Sequence, residues 1–121
     1  FRSPINITQD RKNNTKKKVA SFLEFIPFSF IKYKVSDDSV FIYTSSVNIR
    51  HFMLPSPYKL IMDFDYDEIF KTYKKNTNKF YKIKSITTGS HSGFFRVAIE
   101  LVGKYRYDIT KIRNGYKISF E

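Results

Sequence analysis

The feature that most constrains the fold is a regular alternation of side chains between Phe94 and Leu101. One set is apolar, while the set between its members carries a base, a small residue and an acid. Successive side chains of a β-strand point to opposite faces, so the first set is predicted to face a core and the second to face outward. The apolar set is Phe95, Val97, Ile99 and Leu101, and the outward set is Phe94, Arg96, Ala98 and Glu100.

Composition favours an all-β fold of modest size. The chain has 121 residues, of which 18% are aromatic, and it contains only 4 glycines and 4 prolines. Aromatic and β-branched residues suit the half-buried surface of a sheet. A chain of this length buries roughly two-thirds of its unfolded surface, which is enough for one core. The sequence therefore predicts a single all-β domain.

The net charge of +11 favours a polyanionic partner, such as nucleic acid, an anionic membrane surface or an acidic cell-wall polymer. The alternative is that the many lysines reflect an AT-rich genome. There is no cysteine, which excludes a disulfide and a thiolate metal site. No apolar run approaches the length that a membrane-spanning helix needs.

The chain divides into two parts by composition. Residues 1–18 are polar and basic without periodicity, and they are predicted to be a flexible arm or linker in which Lys16–Lys18 could contact an anionic surface. Residues 19–121 are predicted to form the domain. Because the chain starts at Phe1 rather than Met, we expect it to be a piece of a longer protein.

Alternation and turn residues predict a series of strands. Residues 28–35 are expected to form one strand that buries Ile31, Tyr33 and Val35, whereas residues 19–26 fit a helix or a strand and are expected to end at Pro27. In the longest connection acids precede lysines, as the helix dipole prefers, so one short helix is predicted at 66–75.

Two segments of the chain share one pattern. Tyr58–Asp63 and Tyr116–Glu121 both run Tyr, Lys, apolar, variable, large apolar, acid. Each closes a set of four predicted strands, giving half-repeats of about 28–64 and 80–121. The predicted architecture is a two-sheet β-sandwich built from a duplicated four-strand antiparallel unit, with both apolar faces in one core.

These residues resemble the AMIN domain, the amidase N-terminal module of bacterial cell-envelope proteins. The similarity lies in the run PSPYKLIMDF at 55–64 and the run IKSITTGSHSGFFRVAIELVGKYRYDI at 83–109, and it extends over about residues 28–121. One position departs from the family pattern, since Lys59 stands where the family usually has Arg. Lysine is a point charge and lacks the fork with which Arg binds a carboxylate.

The resemblance implies a non-catalytic module of the periplasm and cell envelope that binds peptidoglycan, or an anionic cell-wall polymer, through the outer faces of its sheets. In the family such modules target cell-wall amidases to the division site. The alternative that the resemblance leaves open is a scaffold module of a pilus or secretin complex that binds envelope proteins. A basic nucleic-acid-binding domain has weaker support, from the basic and aromatic runs at 79–84 and 104–113.

The candidate ligand-binding residues are aromatic or charged side chains on predicted outer faces, because aromatic rings suit sugars and bases suit peptide carboxylates. They are Arg96, Glu100, Lys59, Asp63, Tyr105, Tyr107 and Lys117. The simpler interpretations are an exposed ion pair between Arg96 and Glu100, and core packing for a tyrosine. No catalytic residue, metal site or cofactor is predicted, since His51 and His91 lie in no zinc-hydrolase motif.

Overall fold

The computed structural model describes residues 22–77, 80 and 82–121. The predicted arm at 1–18 and the predicted start of ordered sequence at Val19 lie outside these residues. The described chain contains ten strands and no helix. The strands are β1 (Leu23–Phe28), β2 (Ile31–Val35), β3 (Ser39–Tyr43), β4 (Asn48–Leu54), β5 (Lys59–Asp65), β6 (Tyr73–Asn76), β7 (Ile83–His91), β8 (Phe94–Leu101), β9 (Tyr107–Ile112) and β10 (Gly115–Phe120).

The strands form two antiparallel five-stranded sheets. Sheet 1 has the order β1-β2-β3-β10-β9, and sheet 2 has the order β4-β5-β8-β7-β6. The apolar faces of both sheets contribute to one buried cluster, which includes Tyr33 and Ile118 of sheet 1 and Met62 and Val97 of sheet 2. The predicted all-β sandwich is confirmed.

Contacts between the sheets are both polar and aromatic. The Tyr33 hydroxyl and the Thr88 hydroxyl share a buried hydrogen bond of 2.6 Å that joins β2 to β7. Phe64 of sheet 2 meets Tyr116 of sheet 1 edge to face, with ring centroids 5.6 Å apart. Burial raises the pKa of the Tyr33 phenol well above its usual range, since the ionised form would have no water around it.

The number of strands in each half was predicted wrongly. Residues 28–35 do not form one strand, because a turn at Ser29 and Phe30 separates β1 from β2. Pro27 does not end the segment before it, as was predicted, but lies inside β1, where the pairing register shifts between Phe25 and Phe28. The position is tolerated because β1 is an edge strand, in which a residue without an N–H can stand at an irregularity.

The helix predicted at 66–75 is absent. Residues 66–72 are irregular, and Tyr73–Asn76 forms β6 against β7. The aromatic side chains of this segment pack onto the sandwich instead: Tyr66 stacks on Phe30 at 4.3 Å between ring centroids, and Phe70 contacts Phe28 at 4.5 Å. Burying these rings against sheet 1 outweighs the weak charge pattern that suggested a helix.

The strand orders of the two sheets correspond to each other. Written from the opposite edge, sheet 2 is β6-β7-β8-β5-β4, so β1-β2-β3 match β6-β7-β8 and β10-β9 match β5-β4. Each half of the chain therefore supplies three strands to one sheet and two to the other. The predicted repeat unit had four strands, whereas each observed half has five. The last two strands of each half form a hairpin in the sheet that contains the first three strands of the other half.

Candidate functional site

The outer face of sheet 2 brings together four of the seven predicted ligand-binding residues. Antiparallel pairing of β5 with β8 places Asp63 opposite Arg96 and Lys59 opposite Glu100. The inward-facing residues between them, such as Leu60 and Met62, lie in the core. This outer face is the candidate binding surface, because its charged side chains lie in rows across the strands.

Asp63 is the centre of one row and is held by two arginines. Arg96 donates from Nε to Oδ1 at 2.8 Å and from Nη2 to Oδ2 at 3.0 Å. Arg50, on the neighbouring strand β4, donates from Nε to Oδ2 at 2.7 Å. The Asp63 side chain is 0% exposed, while those of Arg96 and Arg50 are 35% and 48% exposed. The trio therefore carries one net positive charge, and the guanidinium groups carry it at the surface.

The ionisation of the trio follows from its geometry. Burial raises the pKa of Asp63, but the hydrogen bonds and charges of Arg96 and Arg50 lower it more, so the net pKa lies below the ordinary value. The hydrogen bonds to Asp63 raise the pKa of Arg96, against the smaller opposing effect of burial. Asp63 and Arg96 are thus ionised at neutral pH.

Aromatic rings flank the arginines. The Phe94 ring lies 5.1 Å from the guanidinium carbon of Arg50 and 5.7 Å from that of Arg96. Phe52 of β4 lies 5.7 Å from the guanidinium carbon of Arg96. His91 stacks on Phe94, with ring centroids 4.8 Å apart and planes at 3°. The rings restrict the guanidinium orientations and add apolar surface beside the charge.

A second, apolar row lies next to the charged one. Ile61 pairs with Ala98 on β8 and with Phe52 on β4. Ile61 is only 3% exposed, although it lies outside the core cluster between the sheets. Its burial comes from the outer face itself, which therefore has a packed apolar centre rather than a fully solvated surface.

The third row pairs Lys59 with Glu100. Glu100 also lies 3.6 Å from the Lys84 amine and accepts a long hydrogen bond of 3.5 Å from the Ser85 hydroxyl. Beyond this row, at the end of the sandwich, a groove of about 830 Å³ is lined by Tyr58, Leu101 and nine further residues. Glu100 and Lys84 are common to the row and the groove.

The structure separates the other three predicted residues from this face. Tyr105 and Tyr107 do not lie beside the strand of Arg96, because β8 has β5 and β7 as neighbours and Tyr107 lies on β9 of sheet 1. Both tyrosines pack against the edge of the core. The Tyr107 hydroxyl shares a 2.8 Å hydrogen bond with Nδ1 of His51, and Lys117 lies on β10 of sheet 1 with its amine 5.6 Å from the Phe41 ring centroid.

Arg50 and Phe52 are the residues of this face that sequence reasoning missed. Their signal was present in the hairpin that Pro55–Pro57 closes, since counting back from that turn places Arg50 opposite Asp63. No pairing partner was assigned to this segment from the sequence. Pairing between strands is what gives Arg50 its role.

Because the strands of the two sheets correspond, each residue of the Arg50–Asp63–Arg96 trio has a corresponding position in sheet 1. The counterpart of Arg50–Asp63 is Arg106–Glu121, in which an Arg106 Nη2 to Glu121 Oε1 distance of 3.3 Å joins two exposed side chains. At the position that corresponds to Arg96 the chain has Asp37. The position of the second arginine is therefore occupied by an acid in sheet 1, and the described contacts there join only Arg106 and Glu121.

The described residues contain no group of three or more His, Asp or Glu side chains that could hold a metal ion. In the same part of the chain, no helix is long and apolar enough to cross a membrane. Fold and site together define a two-sheet β-sandwich module with a basic and aromatic outer face.

Comparison with known proteins gives the family. The family model described as the AMIN domain matches residues 31–120, so the chain belongs to the AMIN domain family, as predicted. AMIN domains are non-catalytic modules of the bacterial envelope and periplasm, with a general role in peptidoglycan binding and localisation. Neither the curated proteins nor the solved structures contain a significant match to the chain.

Proposed function

We propose that this chain is a peptidoglycan-binding and localising module, and that the outer face of sheet 2 is its binding surface. The observation that supports this most directly is that both arginines have side-chain N–H groups that make no hydrogen bond within the described part of the chain. Within the described part of the chain, Arg50 uses only Nε and Arg96 uses only Nε and Nη2. The remaining N–H groups face solvent or a ligand, and guanidinium forks suit the carboxylates of peptidoglycan stem peptides.

The neighbouring groups supply the rest of the recognition chemistry. Phe94 and Phe52 are half-buried and add apolar surface beside the arginines against which a sugar ring can pack, and Lys59 and Glu100 offer a donor and an acceptor two rows away. Asp63 acts as a positioning residue, because its carboxylate holds both arginines and leaves their remaining N–H groups unbound. An anionic cell-wall polymer would meet the same positive groups.

The experiment that tests this proposal is co-sedimentation with purified insoluble peptidoglycan. The variant Arg50→Lys/Arg96→Lys keeps both charges near Asp63 but removes the forks, so we expect weaker retention, by about tenfold if one charged hydrogen bond is lost. The matched control is Arg106→Lys, the corresponding edge position of sheet 1, which should sediment like the wild type. Equal retention of all three proteins would remove the outer face of sheet 2 from the site.

The finer role that we propose is targeting of a cell-wall amidase to the division site. It rests on the family's general function and needs its own test. An exported fluorescent fusion of the chain is expected to form a band at the site of septation. A uniform envelope signal, with peptidoglycan sedimentation intact, would reject targeting to the division site while leaving wall binding in place.

A further inference from the structure

The backbone edge of strand β4 is a second surface, distinct from the side-chain face that carries the proposed wall binding, although Arg50 and Phe52 of β4 belong to that face. Sheet 2 ends at β4 on one side and β6 on the other, and sheet 1 ends at β1 and β9. Exposed edges tend to pair with other strands, and proteins usually block them with proline, lysine, irregularities or short length. The four edges of this sandwich differ in how well they are blocked.

Three edges carry clear protection. β1 contains Pro27 and an irregular register, β6 has four residues of which two are Lys74 and Lys75, and β9 carries Asp108 and Lys111. β4 has seven residues and neither proline nor lysine. Its one irregularity lies between Asn48 and Arg50 and leaves Arg50–Leu54 in regular register.

Apolar side chains are exposed at this edge, as Ile26 is on β1, but β4 has no proline or irregular pairing between Arg50 and Leu54 to block pairing. Ile49 is 49% exposed, and Val47 and Leu54 are exposed as well. The charge of Arg50 protects the edge only in part, because its Nε is bound to Asp63 on the neighbouring strand β5. Its terminal nitrogens have no hydrogen-bond partner among the described residues.

We propose that β4 accepts an extended segment of a partner protein as an additional strand, and that this segment carries an acidic residue two positions from an apolar one. The reason is the row Arg96–Asp63–Arg50, in which charges alternate across β8, β5 and β4. An acid on an added strand beside Arg50 continues that alternation. An apolar residue two positions away then meets Phe52, which lies two positions along the same face of β4.

The test is amide hydrogen exchange of the full chain with a short synthetic peptide that carries Glu and Val two residues apart. We expect slower exchange of β4 amides on addition of the peptide, and about two- to fivefold weaker binding in Arg50→Gln, the range of a cross-strand ion pair. Arg106→Gln, at the residue just before edge strand β9, is the matched protein control and should bind normally. A peptide N-methylated at the pairing amides should not bind.

Other outcomes overturn the proposal and identify a different occupant. Binding of the N-methylated peptide, or of a peptide with Lys in place of Glu, contradicts strand addition beside Arg50. Concentration-dependent dimerisation with protected β4 amides assigns the edge to a second copy. Protection in the free protein that disappears on deletion of residues 1–21 assigns it to the chain's own N-terminal segment. Slower exchange of the β4 amides with soluble peptidoglycan fragments, and with no peptide, would assign the edge to wall binding. Failure of every peptide to bind would reject strand addition at β4, whereas sedimentation of the wild type with peptidoglycan tests the proposed function separately.

Discussion

Arg96 on β8 donates two hydrogen bonds to Asp63 on β5, and the Asp63 side chain is inaccessible to solvent although it lies on the outer face of its sheet. The carboxylate is covered by its own arginines rather than by the core. Removing one member of such a buried charge group is costly, because it leaves the remaining charges without their partner. Asp63 also fixes the positions of the two arginine side chains that face outward.

Neutralising Asp63 is expected to destabilise the fold. In Asp63→Asn two guanidinium groups lose their charged acceptor while remaining close to each other, and we expect a loss of about 2–3 kcal/mol in the free energy of unfolding. Chemical denaturation checks the value. Asp65→Asn, an exposed neighbour on the same strand, is the control and should change stability by less than about 0.5 kcal/mol.

Acid should weaken the fold through the same residue. The pKa of Asp63 is lower in the folded chain than its ordinary value of 3.8. Its ionised form therefore stabilises the fold above the unfolded pKa, and this contribution is lost as the pH falls through the folded pKa. Denaturation over the acid range should show a steeper loss of stability in the wild type than in Asp63→Asn. Parallel curves for the two proteins would contradict a lowered pKa.

The contact between the sheets at Tyr33 and Thr88 is expected to behave as a coupled pair. Tyr33→Phe leaves the buried Thr88 hydroxyl without its partner, and we expect a loss of about 1–3 kcal/mol. Combining it with Thr88→Val removes both polar groups and should recover part of that loss. A double-mutant cycle by thermal or chemical unfolding measures the coupling. Strict additivity of the two changes would show that the hydrogen bond is not formed.

Gly115 is expected to tolerate no side chain. An added Cβ would collide with the carbonyl of Ile42 and lie 2.8 Å from the Tyr43 Cα, because β10 passes close to β3 at the Gly115–Tyr43 pair. Gly115→Ala should cost about 3 kcal/mol or more, as overpacking against backbone cannot be relieved by a rotamer change. Gly103→Ala is the control, since its nearest neighbour would be 3.9 Å away. Equal melting temperatures for the two variants would contradict this close approach.

The parts of the fold that local pattern determines were predictable from the sequence. Alternation in 94–101 and around Met62 placed the correct side chains in the core, because the two-residue period of a strand is a local property. The helix expected at 66–75 failed because Tyr66 and Phe70 find aromatic partners that lie far away in sequence. Local charge order carries no information about such contacts.

The candidate site was predicted in part for the same reason. Asp63 and Arg96 could be assigned to outer faces one strand at a time, but their partner Arg50 emerges only once β4 is paired with β5. Tyr107 was predicted as a candidate ligand-binding residue together with Arg96. The exchange of hairpins between the halves puts them in different sheets, and alternation within a strand does not reveal that exchange.

The most direct test of the central claim is binding to peptidoglycan whose carboxylates have been chemically amidated. If the outward edges of Arg50 and Arg96 recognise carboxylates, the wild type should sediment with untreated peptidoglycan and lose most of its retention on the amidated material. Arg50→Lys/Arg96→Lys should bind weakly to both. Equal retention of the wild type on untreated and amidated peptidoglycan would contradict the account.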